Sequence, residues 1–343
     1  MSPAPSGRGR GKAPRTPAKK GGARGGPSPK GSDAKAAWMK AKDAKAGRGP
    51  SRTGGTGVGT GRSGTAGRSP VNDRGRGPGG RDVPVRHGPK NEGLGGDQVE
   101  GRQAVRELLS AGRRPVTSLL LAEGMDAAEI LDDIEGLAVK RRVKVEYVSR
   151  NRIDAAARTD GSQGVVARAA PIRDTPLDDL CQPTKRGRLP FLLVLDGITD
   201  PHNLGAVLRS AECAGVTGVV LPRHRSAHLS PTVAKVAAGA IEYLPMALVA
   251  GVPTALLQLS SLGVVTVGLV GEAPTSLYRL PLGDQPVALV LGSEGSGLAA
   301  LTRRRCDELA AIPQHGTLSS LNVATAGAIA CFDVARRRAE AGN

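Results

Sequence analysis

The sequence predicts an α/β protein in which two folded units follow a basic tail. Two observations carry this prediction. Helix-like and strand-like segments alternate from about residue 97 to the end, and the strands of the C-terminal half are continuous apolar runs. Alternation of the two element types favours an α/β layer structure. Apolar runs without polar alternation are typical of parallel strands that are covered on both faces, so we expect a mostly parallel sheet in the C-terminal half.

Residues 1–96 are predicted to form a disordered basic tail. The 343-residue chain has a formal net charge of +17, and this segment carries 21 Lys and Arg against 5 Asp and Glu, together with 25 Gly and 11 Pro. Such a composition buries too little apolar surface to offset the entropy of the chain. Its positive charge would attract a polyanion such as RNA. A solubilising tail without a specific partner is the alternative.

A small α/β unit is predicted for residues 97–170. Helical patterns occur in EGRQAVRELLSAG, in AAEILDDIEGLAVKRR and near residues 151–157, whereas VTSLLLAE, VKVEYVS and GVVARA have the character of strands. A unit of about 75 residues lies near the lower end of independent domain sizes. Residues 171–188 are polar and include three prolines, so we interpret them as a linker.

Residues 189–343 form the second predicted α/β unit. Its predicted strands are PFLLVLDG, GVVLP, VVTVGLV and PVALVLG. A final helix is expected over Ser320–Ala339, and it ends on three arginines. Cations at that position favour a helix C-terminus.

The sequence disfavours several classes of protein and of site. No apolar segment of signal-peptide length follows Met1, and no uncharged run is long enough to span a bilayer, so we expect a cytoplasmic protein without a membrane partner. The four cysteines lie far apart without a CxxC pair, which predicts reduced thiols. His224 and His228 have no carboxylate or thiol partners at ligand spacing, so no metal site is expected.

Three phrases in the second unit carry polar residues where an apolar core would place none. They are LDGITDPHNLGAVLRSAECAG at 195–215, LVLGSEGSG at 289–297 and PQHGTLSSLNVATAGAIA at 313–330. Each suggests a strand or loop that leads into a helix, where α/β sheets place their ligand loops. In this order and spacing, the three phrases resemble the motifs of the SpoU family of SPOUT-class RNA methyltransferases. No single phrase has that specificity, whereas the three together do.

The resemblance covers about residues 97–338 and implies both a reaction and an architecture. Family members transfer a methyl group from S-adenosylmethionine to a ribose 2′-hydroxyl of RNA, and the resemblance is closest to bacterial enzymes that modify a guanosine of 23S rRNA. It implies a homodimer and a trefoil-knotted sheet, a rare exception among proteins. The first unit resembles the RNA-binding domain that precedes the catalytic domain in many members. It departs from the family at Ser162, where members often have His before the Gln-Gly of the last strand.

The resemblance implies a set of catalytic residues by motif position: Asn203, Arg209, Glu294 and Asn322, supported by Glu212. From the helix pattern alone, Asn203 would be an N-cap and Arg209 an ordinary ion-pair partner of Glu212. A guanidinium keeps its proton in proteins. The resemblance implies that Arg209 activates the 2′-hydroxyl as a general base after losing its proton, whereas clamping the target phosphate and stabilising the developing alkoxide is physically easier; both roles stay open. Glu294 could pair with Arg209 or hold the target ribose.

The resemblance also implies which residues hold S-adenosylmethionine, mainly through loop backbone: Gly268, Gly292, Ile312, Ser320 and Leu321. Each would otherwise be an ordinary turn, cap or core residue. A nicotinamide enzyme is disfavoured, because the chain lacks GxGxxG after a strand with an acidic residue about 20 positions further on. Two alternatives stay open. They are a tRNA 2′-O-methyltransferase and a non-catalytic RNA-binding module of the same fold, although the presence of all four catalytic residues argues against the module.

Overall fold

The computed structural model describes residues 93–342 except Arg225 and Ser319. The tail predicted for residues 1–96 therefore lies almost wholly outside the described residues. Its last four positions are an exception, because the Gly96 N–H donates to the Leu229 carbonyl at 2.7 Å and Leu94 is buried. Residues 93–96 thus pack with the folded part of the chain, which their glycine-rich composition does not reveal.

The first unit is a four-stranded sheet with helices. Its elements in chain order are β1 (Gln98–Glu100), α1 (Arg102–Ala111), β2 (Val116–Ala122), α2 (Glu129–Arg141), β3 (Val145–Val148), α3 (Arg150–Ala156) and β4 (Val165–Ala169). The strand order is β1-β4-β2-β3, in which only β2 and β3 run parallel. The six elements expected from the sequence are present. Strand β1 was not expected, because three residues are too few to show a period.

Helix α1 shows how the local sequence sets these elements. Its buried residues are Ala104, Val105, Leu108 and Leu109, which recur at the spacing of one helical face. The helix ends where Gly112 adopts left-handed backbone geometry, with φ of 56°, and donates its N–H to the Leu108 carbonyl. The apolar face of α1 packs against α2.

The segment 171–188 packs on the second unit, contrary to its interpretation as a linker. It contains a short helix, α4 (Leu177–Leu180). Leu177, Leu180 and Cys181 are buried in an apolar cluster with residues of the second sheet. Because most residues of the segment are polar, the sequence did not indicate that these few apolar side chains pack against the neighbouring sheet.

The second unit is a six-stranded parallel sheet covered by helices. Its elements are β5 (Phe191–Asp196), α5 (Pro201–Cys213), β6 (Gly218–Pro222), α6 (Pro231–Val236), β7 (Met246–Val249), α7 (Val252–Ser261), β8 (Val265–Leu269), β9 (Val287–Gly292), α8 (Ala300–Arg305), β10 (Glu308–Ala310) and α9 (Val323–Ala341). The strand order is β10-β8-β9-β5-β6-β7, and every pair is parallel. The predicted α/β class and mostly parallel sheet are confirmed.

A buried ion pair joins the two units. Arg114 donates to both carboxylate oxygens of Glu242, at 2.8 and 2.6 Å, and the two side chains are only 8% and 2% exposed. Arg114 also donates to the carbonyls of Gly96 and Ala170. The guanidinium is thus satisfied from several directions, which a buried charge requires.

The far end of α9 is anchored by Arg338. This side chain donates to the carbonyls of Leu189, Pro190 and Gln285 at 2.7, 2.8 and 2.9 Å. Burial lowers the pKa of Arg338 to about 10, so it stays charged at neutral pH. The sequence predicted that Arg338 acts as a cation at the helix C-terminus. Its hydrogen bonds also attach the end of α9 to the residues just before β5 and just before β9.

The four cysteines are free, as expected. Cys181 and Cys331 are buried, Cys306 is partly buried and Cys213 is exposed. Burial raises the pKa of Cys306 and of Cys331 to about 12. Both therefore remain protonated at neutral pH and are poor nucleophiles.

Neither a membrane-crossing helix nor a metal-binding cluster is found among the described residues. Within 93–342, apart from the two undescribed positions, no helix combines the length and the hydropathy that a bilayer requires. The same residues contain no group of three or more His, Cys, Asp and Glu side chains that could hold a metal ion.

Candidate active site

The first motif places Asn203 in the opening turn of α5. The cap of this helix is Asp200, whose carboxylate accepts the backbone N–H groups of His202 at 3.2 Å and of Asn203 at 3.0 Å. Pro201 follows at the first helical position, where its missing N–H costs nothing. The interpretation of Asn203 as the N-cap is therefore wrong. Since Asp200 does the capping, the Asn203 amide is available for contacts outside its own helix.

The second motif forms a closed loop after β9. Ser293 and Gly297 exchange two backbone hydrogen bonds of 3.0 Å, and Ser293 Oγ lies 2.5 Å from Ser296 Oγ. Gly295 and Gly297 have φ of +84° and +66°, which residues with side chains rarely adopt. The loop holds Glu294, an exposed residue, in a defined place.

Asn322, from the third motif, uses the two ends of its amide for different tasks. Its Oδ1 accepts the N–H groups of Ala324 at 2.8 Å and Thr325 at 3.3 Å, and so caps α9. Its Nδ2 donates to Oδ1 of Asn203 at 2.9 Å. Capping and a site contact therefore coexist in one side chain. The helix itself begins three residues later than the predicted start at Ser320.

The three motifs meet in one hydrogen-bonded cluster of Asn203, Glu294 and Asn322, here called the amide–carboxylate cluster. Asn203 Nδ2 donates to Glu294 Oε2 at 2.7 Å, and Asn322 Nδ2 donates to Glu294 Oε1 at 3.4 Å. Asn203 lies 91 residues from Glu294 and 119 from Asn322 in the chain. The cluster lies beyond the carboxyl ends of the parallel strands, where α/β enzymes bind their ligands.

Arg209 lies on the exposed side of α5 and does not join this cluster. Among the residues that the structure describes, neither Arg209 nor Glu212 makes a side-chain hydrogen bond or an ion pair. The expected ion pair between them is therefore not formed. Of the two possibilities raised for Glu294, pairing with Arg209 is not seen among the described residues, and the Glu294 carboxylate instead accepts from the amides of Asn203 and Asn322. The Arg209 guanidinium remains available to a charged group from outside the chain.

A cavity of about 740 Å³ opens beside the amide–carboxylate cluster. This volume lies within the usual range for small-molecule sites. Glu294 and Asn322 line it together with four of the five residues expected to hold the cofactor: Gly292, Ile312, Ser320 and Leu321. The sequence motifs thus converge on one concave site.

Gly268, the fifth expected cofactor residue, is not among those that line the cavity. It lies within β8, where an added Cβ would approach side-chain atoms of Leu298, Cys306 and Leu309 to 2.8–2.9 Å. Close packing therefore accounts for this glycine. Residues 269–271, which follow it in the chain, line the cavity instead.

Ser162, where the first unit departs from the family pattern, is buried at 3% exposure. Its neighbour Gln163 is exposed and adopts φ of +53°. The backbone N–H of Arg102 donates to Gln163 Oε1 at 2.9 Å, and its Nε donates to the Gln163 carbonyl at 3.3 Å. The accessible polar side chains at this turn are therefore those of Gln163 and Arg102, and not that of Ser162.

Three residues of the site were missed in the sequence. Asp200 could have been found, since Asp before Pro is a helix-start signal. Glu272 and Arg303 line the cavity, but no local pattern distinguishes them from ordinary surface charges.

Two segments of the chain match family models. Residues 190–332 match the model described as the SpoU rRNA Methylase family, and residues 98–175 match RNA 2'-O ribose methyltransferase substrate binding. The chain is 40% identical over 240 residues to the 23S rRNA (guanosine-2'-O-)-methyltransferase RlmB of Pectobacterium atrosepticum, covering 70% of this chain and 98% of that protein. RlmB of Escherichia coli K12 is 38% identical over 244 residues, with coverages of 71% and 99%.

A solved structure supports the same relationship. The AdoMet-bound rRNA methyltransferase from Sinorhizobium meliloti is similar to this chain with a TM-score of 0.55 and 26% identity, covering 70% of this chain and 86% of that chain. The relatives are therefore matched over nearly their whole length, and the matched regions include all three motifs of the cluster. The chain belongs to the SpoU rRNA methylase family and is of the RlmB type.

Proposed function

We propose that the protein transfers a methyl group from S-adenosylmethionine to the ribose 2′-hydroxyl of a guanosine in 23S rRNA. The observation that carries this proposal is the meeting of Asn203, Glu294 and Asn322 beside a cavity of small-molecule size. The substrate is the one named for the RlmB relatives at 40% and 38% identity. A ribosomal RNA substrate also favours the cytoplasm as the place of action.

S-adenosylmethionine fits the groups that line the cavity. Its adenine and carbon chains need apolar contacts, which Leu269, Leu291, Ile312 and Leu321 can supply, and the loop 293–297 offers backbone donors and acceptors to its polar edges. When bound, the cofactor supplies an electrophilic methyl group on a positively charged sulfur. The chain itself has to orient the nucleophile.

The residues of the cluster can position the ribose hydroxyl and manage its charge. Because two amides hold Glu294, its remaining lone pairs can accept the hydroxyl hydrogen in one fixed geometry. Orientation of this kind lowers a barrier by on the order of several kcal/mol. Arg209 is free to bind the target phosphate and stabilise the oxygen as the proton leaves.

The decisive experiment is mass spectrometry of nucleosides from RNA methylated by the purified protein. We expect 2′-O-methylguanosine in a 23S rRNA transcript and none in tRNA. A methylated base with unmodified ribose would overturn the proposed reaction, and ribose methylation confined to tRNA would overturn the proposed substrate.

Arg209→Ala should lower the rate of methyl transfer at least about tenfold, the lower end for the loss of one charged group in a site. Unchanged activity would remove Arg209 from the mechanism.

Gly292→Ala is expected to weaken the binding of S-adenosylmethionine at least about tenfold. A Cβ at Gly292 would lie 2.1 Å from the carbonyl carbon of Gly297, so the closed loop would have to move. Because that loop lines the cavity, its displacement alters backbone contacts of the cofactor. Isothermal titration calorimetry would measure the affinity. Gly316→Ala is the matched control, since nothing lies within 4 Å of a Cβ there; equal affinities of both variants would contradict the role of Gly292.

We infer that two copies of the chain pair through α9 and the loop that precedes it. Leu318 and Leu321 in this loop are 82% and 38% exposed, and Phe332 on α9 is 50% exposed. Large exposed apolar side chains are typical of interaction surfaces. Pairing there would bring a second chain close to the cluster, because Asn322 of the cluster caps the N-terminus of α9. Sedimentation velocity should show a dimer, which Phe332→Asp should weaken; a monomeric unaltered protein would contradict the inference.

We further propose that the C-terminal segment forms the trefoil knot of the family. After β10, the Ala311 N–H donates to the Thr275 carbonyl and the Leu277 N–H donates to the Ala311 carbonyl, both at 2.8 Å. The chain thus runs along the 270–286 connection at one sheet edge. Helix α9 then packs on α5 and on β9, and β9 lies next to β8 on the side away from the β10 edge. The C-terminal part of the chain therefore passes along the 270–286 connection and then returns to the middle of the sheet, which is the path expected for a trefoil knot.

Removal of residues 1–92 is expected to weaken RNA binding while leaving cofactor affinity and the methylated nucleotide unchanged. The segment contains all 21 Lys and Arg of the tail, and phosphate contacts concentrate a protein on RNA without recognising sequence. Each single-strand phosphate contact contributes about 0.7 to the log–log slope of affinity against salt. The slope should therefore become flatter by several units. Equal slopes would show that the tail does not contact RNA. The cut preserves Leu94 and Gly96, which pack with the folded part.

A further inference from the structure

Three of the residues that line the cavity carry a charge: Glu272, Glu294 and Arg303. Glu294 already accepts hydrogen bonds from Asn203 and Asn322. Arg303 is the only cation among the lining residues. Within the described part of the chain it makes no side-chain hydrogen bond or ion pair. Arg303 is exposed, so its guanidinium is free to bind an anionic group of a molecule that occupies the cavity.

The backbone fixes the place of Arg303. Helix α8 follows the loop of the second motif directly, and the Ala299 N–H donates to the Asp196 carboxylate, at the end of β5, at 3.1 Å. The Arg303 N–H in turn donates to the Ala299 carbonyl at 2.9 Å. Thr302, its neighbour on the helix, is completely buried. Arg303 is therefore anchored at the cavity by the same elements that shape the cofactor site.

We propose that Arg303 binds the carboxylate of the methionine part of S-adenosylmethionine. This inference rests on the proposed function. The cofactor carries one carboxylate, and a planar guanidinium binds such a group with two parallel hydrogen bonds. Arg303, Arg304 and Arg305 are all exposed on the same helix, but only Arg303 lines the cavity. The position of Arg303 at the cavity distinguishes it from this general basic surface.

Calorimetry with two ligands tests the assignment on the full-length protein. S-adenosylhomocysteine contains the amino-acid carboxylate, whereas 5′-methylthioadenosine has the adenosine and sulfur but lacks the amino acid. We expect Arg303→Gln to weaken S-adenosylhomocysteine about tenfold, as for the loss of one charged hydrogen-bonding group. Its affinity for 5′-methylthioadenosine should not change. Arg304→Gln is the matched control and should bind both ligands normally, and thermal unfolding of the variants would verify that each is folded.

The possible outcomes separate this inference from the proposed function. An equal loss of affinity for both ligands would place Arg303 at the adenosine half and overturn the assignment. Unchanged affinity for both, with weaker RNA binding, would make Arg303 an RNA contact and overturn it too. In either case the proposed function would stand. If the unaltered protein bound neither ligand, the proposed function itself would fail.

Discussion

Replacement of Glu294 by Ala is expected to lower the rate of methyl transfer by about 100-fold. The change removes the carboxylate on which two amides converge, so Asn203 and Asn322 lose their shared acceptor. Removal of one preorganised polar group from an active site costs about 10²–10³ in turnover. The rate is measured on a 23S rRNA transcript at saturating S-adenosylmethionine.

Two comparisons make the Glu294 experiment specific. Glu294→Gln keeps the shape but presents an amide NH₂ to the donating amides, so it should also be strongly impaired. Glu340→Gln, on the exposed end of α9, removes a surface ion pair with Arg336 and should retain full activity. Full activity of Glu294→Ala would exclude the amide–carboxylate cluster from the reaction.

Replacement of Glu242 by Ala is expected to destabilise the protein by about 3–5 kcal/mol, the usual cost of leaving one partner of a buried ion pair alone. The Glu242 side chain is 2% exposed, and Arg114, at 8%, would remain buried without its carboxylate. Urea unfolding monitored by circular dichroism would measure the loss as a lower transition midpoint at an unchanged slope of the unfolding free energy against urea.

A second substitution distinguishes the charge from simple loss of packing. Arg114→Met combined with Glu242→Leu replaces the pair by apolar side chains and should recover most of the stability. Glu146→Gln, which removes solvent-accessible ion pairs with Lys144 and Arg152, should leave the midpoint nearly unchanged. If Glu242→Ala were as stable as Glu146→Gln, the pair would not hold the two units together.

The α/β class, the parallel sheet and the three motifs of the site can all be predicted from the amino-acid sequence. These features are local. A short apolar run rich in branched residues, such as Phe191–Asp196, favours a strand that is covered on both faces. The GSEGSG loop has the glycines that its backbone geometry requires. The basic character of residues 1–96 also follows from composition alone.

The groups that meet within those motifs become known only from the folded chain. Asn203 donates to Glu294 and does not cap α5. Arg209 forms no ion pair with Glu212 in the described part of the chain. At Gly268, an added Cβ would collide with packed side chains beside the cavity. Arg303 becomes a candidate ligand of the cofactor only because α8 reaches the cavity. These contacts join residues that are far apart in the chain. The distance between two such residues in space depends on the order of the strands and on the way the helices cross. Local propensity carries no information about that order.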